Sequence, residues 1–299
     1  MRALTAVLFL AVFALASGCS RHDATPSPYG ATAAKIGESL AVLGWNMSLT
    51  NLRWDSAHVL VDIDAAPADP GKPHAGPGNI RFGLYGALAH PIEATGLGSC
   101  SGVTTLAIRP LAASSPDRLT GTVCLGPLPD QAAVRGVYVY SPGDRIGGTA
   151  AAYPAAFPVG LPPTKTSDTG LTISTSSVEA FRTDGAQLTQ DSLNDPTAFT
   201  GKGYMLLGVD VSAPAPQYRD DSAKRGGPMM LVVSPTLPPP GVTPECNAYG
   251  SSVLILPDAK LDAVRVNASL CTQGEINEAV LYATLSAVGT HAAVWTSRD

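Results

Sequence analysis

Short apolar segments that alternate with polar residues at a period of two recur along most of this chain. Alternation of this kind places one set of side chains on one face of a β-strand. Gly, Pro, Asn and Asp cluster between the segments, as turns between strands require. The chain has 30 Gly and 26 Pro in 299 residues, and 45% of its residues are apolar, so a core can form and wholesale disorder is excluded. The pattern therefore predicts an all-β protein.

Six candidate strands fall in each half of the chain. Their bounds are 45–49, 58–64, 80–85, 103–108, 119–124, 134–140, 171–175, 204–211, 229–234, 252–256, 263–271 and 280–285. Two segments, 36–43 and 276–287, instead show apolar spacings of three and four, which are typical of a helix. We predict a strand for the central part of segment 276–287, because an offset of about 146 residues relates it to the predicted strand at residues 137–140.

The two halves carry related patterns. An offset of 146 residues moves 58–64 onto 204–210, and both segments have apolar residues at alternate positions. The same offset relates Cys100 to Cys246, and an offset of 147 relates Cys124 to Cys271. Chance agreement between periodic strands is the alternative. Repeats of this length exceed solenoid units, so the pattern indicates an internal duplication into two similar domains.

We expect those domains to span residues 36–160 and 161–299, with a boundary in the proline-rich segment 158–167. Six or seven short strands in each domain suit a β-sandwich. On the alternating strands and the paired cysteines, the architecture resembles the immunoglobulin-like domains of secreted proteins and lipoproteins from high-GC bacteria. The resemblance implies two tandem sandwiches, each with one disulfide.

Residues 1–18 have the pattern of a signal peptide, with one positive charge at Arg2 followed by an apolar run. Small residues then precede Cys19, which resembles the lipobox of bacterial lipoproteins, although Leu15 lies one position earlier than usual. The resemblance implies cleavage before Cys19 and acylation of its thiol, and hence an exported protein anchored to the outer side of a membrane. Residues 19–35 are polar and suit a flexible tether. The alternative is an ordinary secretory signal.

Four cysteines remain, namely Cys100, Cys124, Cys246 and Cys271. Disulfides are expected in an exported protein, and four cysteines allow three pairings. Separations of 24 and 25 residues favour Cys100–Cys124 and Cys246–Cys271, as staples near strand ends or on an outer face. The chain has no C-x-x-C pair and its histidines are scattered, so we expect no metal site.

No catalytic or cofactor-binding motif is present, so we predict no catalytic residue and no cofactor. His58, near Asp62 and Asp64, is a candidate base, and the two carboxylates are a candidate cation site. The favoured interpretation is a solvent-facing strand histidine for His58, and a solvated sheet face or a turn cap for the two carboxylates. An envelope hydrolase would need His58 or His291 near a hydroxyl and a carboxylate.

Two features are candidates for binding. The apolar run 229–233, with Met229 and Met230, suits either a hydrophobic cleft or a strand buried on both faces, and we favour the strand. Long segments flank it at 213–228 and 235–245, and long loops on rigid scaffolds often bind ligands. The second of these segments contains Pro238, Pro239 and Pro240. The alternative is that this segment covers an edge strand.

The functional expectation is a membrane-anchored envelope lipoprotein that acts as a non-enzymatic binding module. Its partners would be the bilayer, through acylated Cys19, and an envelope protein or glycan. A carrier or sensor of a hydrophobic, lipid-like ligand is the alternative, and a hydrolase is third. The net charge of −5 argues against a nucleic-acid partner.

Overall fold

A computed structural model describes most of the chain beyond residue 30. The described residues are 31–88, 91–103, 106–128, 134–158, 164–166, 170–189, 202–234, 252–256, 263–275 and 280–297. Nearly all of their regular structure is β-strand, arranged in three sheets. This confirms the all-β prediction. The predicted signal peptide and Cys19 lie outside the described residues.

The first sheet, here the N-terminal outer sheet, has five strands in the order β2-β3-β4-β8-β7. Its strands are β2 (Ser39–Val42), β3 (Trp45–Asp55), β4 (His58–Pro67), β7 (Ala112–Ser115) and β8 (Arg118–Leu125). Alternate residues of β4, such as Val59, Val61 and Ile63, are buried in one hydrophobic core on the same face of the sheet. The sheet therefore follows the period-two pattern read from the sequence.

The second sheet, here the C-terminal outer sheet, also has five strands, in the order β10-β11-β13-β16, with β12 paired to β11. Its strands are β10 (Thr164–Thr166), β11 (Thr172–Arg182), β12 (Gln187–Leu188), β13 (Lys202–Pro214) and β16 (Ala263–Glu275). Every pair in this sheet is antiparallel.

The third sheet is central and has seven strands, in the order β15-β14-β17-β9-β5-β6, with β1 paired parallel to β17. Its strands are β1 (Thr32–Lys35), β5 (Arg81–Gly86), β6 (Glu93–Thr95), β9 (Val134–Pro158), β14 (Met229–Ser234), β15 (Ser252–Leu256) and β17 (Val280–Thr296). A 3-10 helix, Pro77–Asn79, precedes β5, and one α-helix, α1 (Ala215–Arg225), precedes β14.

The long pair formed by β9 and β17 has both faces buried. Val137 and Trp295 pack with the N-terminal outer sheet, whereas Tyr138 and Val294 belong to the cluster that contains the C-terminal outer sheet. Because neighbouring residues of a strand point to opposite faces, one pair of strands supplies both cores. The central sheet consequently contains paired strands from both sides of the predicted domain boundary.

The outer sheets match in strand order and register. The order β2-β3-β4-β8 corresponds to β10-β11-β13-β16. Leu60 lies opposite Cys124, and Leu206, which is 146 residues further along the chain, lies opposite Cys271. β3 and β11 each contain an irregularity in register.

Three segments differ from the local predictions. The predicted strand at 103–108 is wrong for its described residues, which form a turn and irregular structure. Segment 36–43, with its helical spacing, forms a turn and β2. The predicted loop 213–228 contains α1, which has proline in its first turn, basic residues in its last turn, and Gly226 at a φ of 79° directly after it. Proline favours the first turn of a helix, whereas basic residues in the last turn and a following glycine at positive φ favour its C-terminal end.

The predicted disulfide between Cys100 and Cys124 is confirmed, with the Cα atoms 4.9 Å apart. Both cysteines are buried in a small cluster with Leu60, against which Val103 and Ile108 pack. This cluster is separate from the core between the N-terminal outer sheet and the central sheet, into which Val123 and Leu125 point. The disulfide therefore holds the segment before β7 against the outer face of β4 and β8, as the sequence predicted.

Removing this disulfide should destabilise the protein. Replacing both Cys100 and Cys124 by serine frees a loop of sequence separation 24 in the unfolded chain. The free energy of unfolding should fall by about 3 kcal/mol in the chain-entropy model. Urea denaturation of the double variant measures this. Wild type treated with reductant should shift by a similar amount, and an unchanged midpoint in the variant would contradict the structural role.

Candidate functional site

The outer surface of β13 is the candidate site, and we call it the β13 face. It comprises Tyr204, Leu206, Gly208, Asp210 and Ser212. The intervening side chains from Met205 to Ala213 are buried in the core, so these five residues lie on the opposite surface. Tyr204 and Leu206 are 40% and 44% exposed. Two large apolar side chains are therefore presented to solvent on one strand.

A polar groove lies at the other end of this face. Its volume is about 300 Å³. It is lined by Thr172, Ser174, Asp210, Val211, Ser212 and Asn267. Asp210 is directly opposite Ser174 on β11 and Asn267 on β16, so a hydroxyl, a carboxylate and an amide share one row across three strands. None of the described residues that line the groove is cationic.

Gly208 separates the exposed apolar side chains from the groove. A side chain at this position would collide with the hydroxyl group of Ser177, where β11 changes register against β13. A larger residue here would require the side chains of Ser176 and Ser177 to move. With glycine here, the β13 face is flat between Leu206 and Asp210.

The matching surface of the N-terminal outer sheet is occupied by the chain itself. Leu60, the counterpart of Leu206, is fully buried under the disulfide-linked segment. Asp62 and Asp64, which the sequence offered as a cation site, are paired with Arg53 at 3.0 Å and Arg118 at 2.6 Å. These ion pairs favour the solvated-face interpretation of the two carboxylates over a cation site.

Hydrogen bonds further fix Asp62. Thr122 and Asn51 each donate to its carboxylate at 2.7 Å. Partial burial alone would raise its pKa, but the donors Thr122, Asn51 and Arg53 outweigh burial and hold the pKa of Asp62 below its ordinary value of 3.8. On the β13 face the corresponding position is Gly208, and Asp210 forms no ion pair within the described part of the chain. Among the described residues, Leu60 is therefore covered in the N-terminal outer sheet, whereas its counterpart Leu206 is exposed in the C-terminal outer sheet.

A second polar cluster is buried beneath α1. The Glu93 carboxylate on β6 accepts hydrogen bonds from the hydroxyl groups of Tyr138 and, at 3.0 Å, Tyr140. Arg225, the last residue of α1, lies 3.3 Å from Glu93 and 3.2 Å from Asp221. Because Arg225 and Glu93 are only 11% and 15% exposed, this ion pair fixes the end of α1 to the central sheet. We call these five residues the Glu93 cluster.

Burial in this region strongly affects the tyrosines. Burial raises the pKa of Tyr138 and Tyr140 well above the ordinary value of 10.0, and the negative charge of Glu93 raises both further. Burial also raises the pKa of Tyr85 to about 12, against a smaller opposing effect of Arg135. The phenols are hydrogen-bond donors at neutral pH, which is the state that the Glu93 carboxylate requires.

The two candidate catalytic histidines, His58 and His291, lie on strands of different sheets. His58 begins β4, and its Nδ1 is buried without a hydrogen-bond partner, so this ring nitrogen does not face solvent, contrary to the sequence prediction. His291 on β17 lies 3.6 Å from Asp144. Asp144 lines a pocket of about 370 Å³ that also contains His74, Asn79 and Ser141. No contact among the described residues links either histidine to both a hydroxyl and a carboxylate, which is what the hydrolase hypothesis needs.

Of the predicted binding residues, two are buried in a strand and three lie outside the described residues. Met229 and Met230 are 0% and 2% exposed, and all six residues of β14 are buried, which matches the favoured interpretation of a strand buried on both faces. Pro238, Pro239 and Pro240 lie outside the described residues, as does Cys246. Cys271 lies on β16.

The Glu93 cluster and the exposed Tyr204 were not among the residues predicted from the sequence. Tyr138 and Tyr140 alternate within a predicted strand, which was the available signal, but nothing near Glu93 indicated its partners.

Comparison with known proteins does not assign this chain to a family. No protein-family model, curated protein or solved structure matches this chain. Within the described ranges, no group of three or more His, Cys, Asp or Glu side chains is placed to hold a metal ion. The helical residues described are too few and too polar to cross a membrane.

Removing Arg225 should destabilise the protein. Arg225→Met leaves the Glu93 charge buried without its cation, and the free energy of unfolding should fall by about 3 kcal/mol. Arg182→Met is the matched control, because its pair with Asp184 is exposed and should contribute under about 1 kcal/mol. Chemical denaturation of both variants tests this. Equal effects of the two substitutions would contradict the buried role of Arg225.

The tyrosines should ionise in two groups. The chain has nine tyrosines. Tyr85, Tyr138 and Tyr140 have folded pKa values above their unfolded value of 10.0, so they stabilise the fold below pH 10 and this contribution is lost as the pH rises further. Phenolate absorbance should therefore show an early phase and a late phase that coincides with loss of circular dichroism.

Tyr140→Phe is the control for this titration. It should reduce the amplitude of the late phase by one tyrosine and leave the early phase unchanged. Ionisation of all nine tyrosines in one step near pH 10, with the fold intact, would show that the burial is not as described.

Proposed function

We propose that this protein is an exported lipoprotein, anchored through acylated Cys19 to the outer side of a membrane, that acts as a non-enzymatic binding module of the cell envelope. The apolar run and small residues before Cys19 support the anchor. Two or three acyl chains on one cysteine suffice for stable anchoring without a membrane-spanning helix. The disulfide between Cys100 and Cys124 is consistent with an oxidising compartment outside the cytoplasm.

The two halves arose by internal duplication, with immunoglobulin-like sandwiches as the ancestral unit. The matched strand orders of the outer sheets support this, together with the register of Leu60 with Cys124 and of Leu206 with Cys271. On this proposal Cys271 bonds to Cys246, which lies outside the described residues. The shared central sheet then represents a fusion of the two units along β9 and β17.

The exposed apolar side chains of the β13 face are the observation that carries the binding role. Tyr204 and Leu206 are exposed beside a polar groove, whereas Leu60, the counterpart of Leu206, is buried under the disulfide-linked segment. A carrier of hydrophobic ligands is the less favoured alternative, because Met229 and Met230 pack into the core rather than line an opening. The His58 and His291 surroundings favour a binding protein over a hydrolase.

Replacing Cys19 should release the protein from the membrane. Cells fed an alkyne-tagged fatty acid should label the wild-type chain, whereas Cys19→Ala should abolish the label and move the protein from the detergent phase to the aqueous phase. Ser20→Ala, at the next position, is the control and should keep both properties. A Cys19→Ala chain that still carries the label and stays membrane-bound would refute the anchor.

A further inference from the structure

We propose that the β13 face binds a neutral oligosaccharide chain, with one sugar in the polar groove and a further sugar stacked on Tyr204. The inference rests on the proposed binding role and names the ligand class and the surface. It does not depend on the membrane anchor.

The groove has the hydrogen-bonding groups that sugar hydroxyls need. A hydroxyl both donates and accepts, and Asp210 offers an acceptor while the Asn267 amide offers both a donor and an acceptor. Ser174 donates at 3.5 Å to the backbone carbonyl of Asp210, which leaves the oxygen lone pairs of Ser174 available. A volume of about 300 Å³ is at the lower end for small-ligand pockets, and suits a single ring.

Tyr204 supplies the flat apolar contact that the carbon-bound hydrogens of a pyranose ring prefer. It is 40% exposed and lies six residues before Asp210 on the same face. Six residues of a strand span about 20 Å, which is the reach of a short chain of sugars rather than of one. Leu206 and the bare backbone at Gly208 form a flat surface between these two points.

Two other ligand classes fit this surface less well, one because of charge and one because of its small apolar area. Anionic ligands are disfavoured because the Asp210 carboxylate lines the groove. A protein partner is disfavoured because stable interfaces bury about 800 Å² on each side around large apolar anchors, and this face offers two exposed apolar side chains above a polar hollow. A neutral, hydroxyl-rich chain fits both parts of the surface.

The matched sheet supplies the control for the experiment. Asp64 lies 146 residues before Asp210 on the corresponding strand, but its carboxylate is paired with Arg118. Leu97 is a second control, because it is 36% exposed on a different part of the molecule. Tyr204→Ala and Asp210→Asn alter the proposed site, whereas Asp64→Asn and Leu97→Ala do not.

The experiment uses the full chain purified in detergent and a panel of neutral tetrasaccharides, namely cellotetraose, chitotetraose, maltotetraose and mannotetraose, with isothermal titration calorimetry as the readout. At least one should bind, and Tyr204→Ala and Asp210→Asn should each weaken its affinity by about tenfold, as loss of one aromatic or one charge-assisted contact does. The two control variants should bind as wild type does. Thermal unfolding of every variant confirms that it is folded.

Four results would overturn the proposal. The first is a panel with no binder, the second is binding that neither Tyr204→Ala nor Asp210→Asn weakens, and the third is binding that Asp64→Asn weakens equally. The fourth is protection of Leu206 from hydroxyl-radical labelling in the ligand-free protein, because another segment of the chain or a second copy would then cover the face. Fatty-acid labelling at Cys19 is measured separately, so failure here leaves the anchor standing, and failure of the anchor leaves sugar binding standing.

Discussion

The antiparallel pairing of β9 with β17 is the interaction on which the rest of the structure depends. Their register runs from Val280 opposite Pro158 to Thr296 opposite Gly136, and joins one half of the chain to the other. Alternate side chains of this pair enter different cores, so neither outer sheet has a complete hydrophobic partner without it. Burial of Trp295 and Tyr138 on opposite faces makes the two cores interdependent.

Local patterns in the sequence are sufficient to predict the strands and their inward faces. The alternation at Val59, Val61 and Ile63 identified β4 and its buried side, and the cysteine spacing identified a staple on the outer face. Both depend on neighbours close in the sequence, where a period of two or a loop of modest length constrains the geometry. The prediction of an all-β fold followed from such local evidence.

Local sequence patterns could not predict which distant strands pair with each other. Period-two alternation shows which face of β9 is apolar, but not that β17, more than a hundred residues away, lies beside it. Nor could it show that both faces of β9 are buried, because Tyr138 and Tyr140 look equally suited to a solvent-facing surface. The Glu93 cluster depends on three distant segments that meet only in the folded chain. The exposure of Leu206 and the burial of its counterpart Leu60 likewise depend on contacts between distant segments.

The position of Glu93 has a consequence for solubility. In the described part of the chain, β6 is the terminal strand of the central sheet, three residues long, and it carries an inward-pointing carboxylate. An incoming strand from another molecule would find few free backbone groups, and its approach would have to accommodate a buried charge. Short edges with inward charges are among the means by which natural β-proteins resist edge-to-edge aggregation. The residue that fixes α1 to the sheet therefore also helps to keep separate molecules from joining into fibrils.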